Sequence, residues 1–257
     1  MSEPKSETSL PGTRGYGGDS PVIRTSQWLR RFLDSSPKTN LGTESVNSNA
    51  LLLANHLLHL LEGCGLLNGT GYHSAAVTLF RPMEDALDTF AAVALVKGCA
   101  EQWESGKLKA SDAAKAWIAE HGDVFVCRHN TIAEYRKVLR STFNDYSHCS
   151  RQVCLWNLYF NVKKEDPSTG KLSGTLDLNT QPLIIDRNGH SIDAFETAHL
   201  LEFLELLRKA YSDYLRQYHG TEELELLVEQ TQQIMERHDS HRCQEVRIPP
   251  EIARLEK

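Results

Sequence analysis

Residues 72–97 read YHSAAVTLFRPMEDALDTFAAVALVK, and this stretch decides the fold. Apolar side chains cover most sides of the helix it would form, yet Arg81, Glu84 and Asp88 fall in its middle. A helix apolar on nearly every side must be enclosed by other elements, so the segment predicts a core helix of a predominantly α-helical protein. Pro82 lacks an N–H and its ring meets the carbonyl four residues back, which predicts a kink.

The flanking sequence supplies partners for that helix. Residues 26–33 predict a short helix with Trp28, Leu29 and Phe32 on one side, ended by Pro37. From 44 to about 67, the run LLLANHLLHLLEGCGLL sets Leu52, Leu53, Leu57, Leu60 and Leu61 near one broad stripe, as a core-facing helix requires. Glycines at 69 and 71 then break the chain. Ser111 is placed to cap DAAKAWIAEH, with Gly122 as its stop. A longer helix over 130–147 would bury Ile132, Tyr135, Leu139 and Phe143. Turn signals DPSTG, QP and RNG separate the β-favouring fragments LYFNV and PLIID, so 158–192 predict a small β-hairpin insertion. Ser191 can cap a helix reaching His219, with Leu200, Phe203, Leu204, Leu207, Tyr211 and Leu215 at helical spacing; another helix covers 222–238. No repeat of fixed period is present. The expected architecture is mainly α: a disordered tail over 1–25, a single helical domain over 26–240 with a hairpin insertion at about 158–192, and a C-terminal tail over 241–257.

Composition narrows the function classes. The chain has 257 residues, 40% hydrophobic and 24% charged, a globular balance with enough length to bury a substantial core. A formal charge of -6 argues against a surface that coats nucleic acid generally, which needs clustered Lys and Arg. The apolar run 89–96 falls far short of the ~20 residues that a bilayer-spanning helix needs, and the first residues carry no apolar signal core. No membrane span and a cytoplasmic location are therefore expected. Cys64, Cys99, Cys127, Cys149, Cys154 and Cys243 include no CxxC pair, so free thiols are expected rather than bridges or a zinc knuckle. Walker, GxSxG, HExxH and GxGxxG signatures are also absent, which disfavours the corresponding hydrolase and dinucleotide chemistries.

Three constellations carry the chemistry that remains. Arg81 and Glu84 share a helical face, with His73 and Asp88 near the same line. A charged pair in so apolar a stretch must be paired, hydrogen-bonded or lining a cavity, so it is either a buried ion pair fixing helix register or an anion pocket with Arg81 as the donor. Arg140, Asn144 and His148 are spaced by four and four along one side of the next helix. There His148 could transfer a proton and arginine stabilise a charged phosphorane, without a metal; the alternative is a histidine that caps the helix end or satisfies a carboxylate such as Glu84. Asp145 with His148, and Glu196 with His199, have carboxylate-x-x-His spacing, and Glu84 and Asp88 would complete a helical di-metal site. Asp in one motif where Glu is usual weakens that reading, and neither metal nor cofactor is assigned. His56 and His59 read as satisfied core or boundary residues; His238, His241 and Cys243 lack the second half of a metal cluster.

The helix segment AAVTLFRPMEDALDTFAAVAL at 75–95 and the element NDYSHCS at 144–150 together resemble a group of bacterial helical proteins of unknown function, similar to the broader HEPN-like class of four-helix bundles. The resemblance covers about 44–150 and, more loosely, the helix from Ser191. It implies a dimeric helical protein of a toxin or phage-defence system that binds or cleaves RNA or a nucleotide. The resemblance carries over onto Arg81, Glu84 and His148, with Asn144 and Tyr146 beside them; together with the helical spacings, this makes His148, Arg140, Arg81 and Glu84 the catalytic candidates, and Asn144, Tyr146, His73 and Asp88 the substrate-binding ones. Seven residues separate Arg140 from His148, more than in the class's ribonuclease motif. The competing expectation is a non-enzymatic helical protein that dimerises or docks a protein partner, its polar centre serving only to specify packing.

Overall fold

The computed structural model describes residues 21–35, 48–121, 133, 136–137, 140, 158–165, 167–169, 172–178, 192–211 and 221–241. The protein is mainly α. Its helices are α1 (Pro21–Ser35), α2 (Ser48–Gly69), α3 (His73–Thr78), α4 (Phe80–Leu95), α5 (Cys99–Glu104), α6 (Ala110–His121), α7 (Ile192–Ala210) and α8 (Thr221–His241). Ala133, Arg136, Lys137 and Arg140 also have helical backbone, inside the helix expected over 130–147.

The central element is α4, from which Ala86 through Val93 are all buried. It packs against α2, α6 and α7. Phe90 meets Phe203 of α7 edge-on with ring centroids 5.3 Å apart, and Phe80 meets Phe195 at 5.4 Å. Buried Ala54, Leu57, Leu58, Leu61 and Cys64 turn one side of α2 inward, while α1 and α8 close the other end of the same apolar cluster. There Trp28 stacks on Phe32, which in turn meets Tyr211 at the end of α7.

Several boundaries differ from those the sequence suggests. The kink expected at Pro82 is a break: α3 ends at Thr78, and α4 starts after Leu79. Thr78 is the residue whose carbonyl the Pro82 ring would strike, so the interruption falls where the clash would be. The predicted tail ends earlier than residue 25, because α1 starts at Pro21; proline is favoured at a first helical position, where a missing N–H costs nothing. Gly71, with φ 85°, closes α2: Tyr72 N–H donates to the Leu67 carbonyl at 2.8 Å and Gly71 N–H to that of Asn68 at 3.1 Å. That paired closure needs a left-handed residue, which glycine supplies without strain.

On α2 the stripe is narrower than expected. Leu52 is 62% exposed, and both His56 and His59 face outward with it rather than toward the core. Asn49–Gly69 is also long and apolar enough, by length and composition, to cross a membrane, unlike the run 89–96; half of that window is buried within the protein. Cys64 and Cys99 are buried and unbridged; the other four cysteines lie outside the described residues.

In the segment read as a hairpin insertion, β1 (Leu158–Glu165) and β2 (Leu172–Leu178) pair antiparallel, Leu158 opposite Leu178, with an irregularity between Val162 and Lys164. Residues 179–191, and with them the junction to the bundle, lie outside the described residues. As an insertion, the segment stays an expectation of the sequence.

Candidate functional site

Two carboxylates a helical turn apart on α4 face two guanidiniums four residues apart, Arg136 and Arg140, each on helical backbone. Glu84 and Asp88 are fully buried, Arg136 is 3% exposed, and the Arg140 side chain retains 22% exposure. Asp88 is the hub. It accepts hydrogen bonds from Arg136 Nε at 3.0 Å, from Arg140 at 2.8 Å and from the Trp117 indole of α6 at 2.9 Å. Arg136 also reaches across to Glu202 of α7, and its guanidinium carbon lies 5.9 Å from the Trp117 ring centroid. Charge-assisted hydrogen bonds of this kind recover part of the several kcal/mol that each buried ion loses by leaving water.

Glu84 is held differently. The Nε atoms of Arg136 and Arg140 both stand 3.8 Å from its Oε1, beyond hydrogen-bond range, and neither carboxylate oxygen has a hydrogen-bond partner among the described residues. Burial pushes the Glu84 carboxyl up to about 8, with Arg136 opposing that shift and Asp88 adding to it. Glu202 is likewise raised by burial to about 7. His199, one turn before Glu202 on α7, is pushed down by burial to about 4, so its ring is neutral near pH 7. Its Nδ1–H donates to the Phe195 carbonyl at 2.7 Å, and the ring stacks on Phe80 with centroids 6.1 Å apart.

The sequence candidates separate into distinct places. Glu84, Asp88 and Arg140 come together in this cluster. Arg81 pairs not with Glu84 but with Asp85, Nε to Oδ2 at 3.0 Å, on the half-exposed edge of α4. A step of three residues rotates a side chain about 60° off its starting line, enough at the rim of a buried face to turn Arg81 toward water. His73 belongs to another polar chain: its Nδ1–H donates to Asn68 Oδ1 at 2.7 Å, and the Asn68 amide donates to Asp193, tying α2, α3 and α7. Asn144, Asp145, Tyr146 and His148 lie outside the described residues, as do the side chains of His238, His241 and Cys243. Glu196 and His199 are both buried, but no group of three or more His, Cys, Asp or Glu side chains with a metal-holding arrangement occurs among the described residues.

Arg136, Trp117 and Glu202 were not singled out in the sequence. A signal existed for the first: position 136 falls next to the apolar stripe of 132, 135, 139 and 143, where an arginine needs a buried counter-charge. Glu202, inside LLEFLELL, carries the same signal. Trp117 carried none, since nothing local tells an indole that anchors a carboxylate from one that only fills the core.

Comparison with protein-family models, with curated proteins and with solved structures returns no match.

Proposed function

We propose that this chain is a non-enzymatic helical interaction protein, in which the ionic cluster specifies how α4, α6, α7 and the helix of Arg136 pack. One observation carries the reading: Arg136, the central guanidinium of the cluster, is buried and already shared between Asp88 and Glu202. A phosphate would have to displace two carboxylates from a place without solvent. Exposed Leu52 and Leu66, at 62% and 64% on the outer side of α2, support a protein partner or a second copy of the chain as what it binds.

A second reading rests on Arg140. It is the open member of the cluster, its Nε has no hydrogen-bond partner among the described residues, and Asn144 and His148 follow at helical spacing. This edge is where RNA or a nucleotide would approach in a HEPN-like ribonuclease of a cytoplasmic toxin or phage-defence system.

One experiment separates the two. The purified protein is incubated with mixed RNA, with and without divalent cations, beside His148→Ala and Arg140→Ala, and its mass in solution is measured. The interaction reading expects no cleavage by any of them and a mass set by self-association or by a co-purifying protein. Cleavage by the wild type that His148→Ala abolishes, with an unchanged melting temperature, overturns it in favour of the nuclease.

A further inference from the structure

The ionic cluster does not balance among the described residues. Among the described residues, Glu84, Asp88 and Glu202 set three carboxylates against the two guanidiniums of Arg136 and Arg140. One surplus negative charge in a site this buried would cost several kcal/mol unless it is neutralised. The hydrogen bonds show where neutralisation falls. Asp88 accepts from Arg136, Arg140 and Trp117, and Glu202 accepts from Arg136, so each has a donor for its carboxylate oxygens. Glu84 accepts from no described donor, although it is fully buried.

We propose that Glu84 takes up a proton from solvent when the bundle closes, and that its ionisation loosens the joint between α4, α7 and the Arg136 helix, making the cluster a proton-operated latch. Among the described residues, the charged and titratable groups facing Glu84 are Asp88 and Arg81 from its own helix, with Arg136 and Arg140; Glu202 and His199 of α7 join through Arg136 and Asp88. From α6 the cluster receives only the uncharged Trp117 indole.

The direction of the pH effect follows. A carboxyl whose folded value is raised from 4.5 to about 8 binds a proton on folding, so its stabilising contribution is complete below 4.5 and disappears as pH climbs through about 8. Glu202, raised to about 7, acts in the same sense over a narrower window. His199, lowered to about 4, acts oppositely, but only between about 4 and its ordinary 6.5. From about pH 7 to about pH 8, Glu84 therefore sets the slope.

The test follows unfolding by denaturant from about pH 5 to about pH 9 in the wild type and in Glu84→Gln, which keeps the shape and removes the ionisation. Infrared difference spectra in parallel look for the carbonyl stretch of a protonated carboxylic acid. Between about pH 7 and about pH 8 the wild type should lose up to about tenfold in its folding equilibrium constant, with the loss levelling off above about 8, and Glu84→Gln should lose less. The acid band should be present in the wild type at neutral pH and weaker in the variant, which keeps only the contribution of Glu202. Parallel pH profiles for the two proteins, or a wild type without that band at neutral pH, overturn the latch. Should Glu84→Gln fail to fold, the wild-type band decides: its presence at neutral pH and in Glu202→Gln supports the proposal, and its absence from either refutes it. None of these readings depends on whether RNA is cut or a partner bound.

Discussion

The inner face and the outer edge of α4 carry acid and base groups one residue or one turn apart, and they are built on opposite terms. On the edge, Arg81 and Asp85 pair within the helix, with side chains 28% and 32% exposed. On the face, Glu84 and Asp88 form no ion pair within their own helix among the described residues and depend on Arg136 and Arg140, 48 and 52 positions away from Asp88 along the chain. An intrahelical pair near water gains little, because water solvates either partner alone almost as well. A pair closed off between helices is obligatory, because an ion left there has nothing else to bind.

Breaking the inner face should have the largest effect. Arg136→Met strips Asp88 and Glu202 of their shared counter-charge and should destabilise the protein by about 3–5 kcal/mol in denaturant unfolding near pH 7; a loss below about 1 kcal/mol would mean that the acids find solvent. Trp117→Phe keeps an aromatic filler but removes the indole donor to Asp88, with an expected loss of about 1–3 kcal/mol in the same measurement. Arg81→Ala, on the edge, should cost no more than about 0.5 kcal/mol, and addition of salt should shrink even that difference. If Arg81→Ala proved as damaging as Arg136→Met, the contrast between face and edge would collapse.

The helices were legible wherever apolar spacing was strong. Thus α2, α4, α7 and α8 fall close to where the periodicity puts them, while the differences gather at ends: Pro21 opens α1 earlier than expected, and at Pro82 the helix is interrupted at Leu79. Helix ends depend on single hydrogen bonds and clashes, which a periodic pattern averages away. The site was legible in half. Glu84 and Asp88 stand out as charges in an apolar stretch and Arg140 recurs at helical spacing, but the sequence pairs Glu84 with Arg81, three residues before it. Proximity in sequence suggested that pair, and the rotation of the helix undoes it. For His148, Asn144 and Tyr146 the ribonuclease reading stays a proposal, carried by their spacing from Arg140.

By itself the sequence determined that this chain is mainly helical and that α4 carries charges into its interior, because both follow from which residue types recur along a single helix. Which cation meets which acid was decided only by tertiary structure. That choice depends on how separate helices rotate and approach, and the free energy of a buried ion is set by neighbours that come from distant parts of the chain.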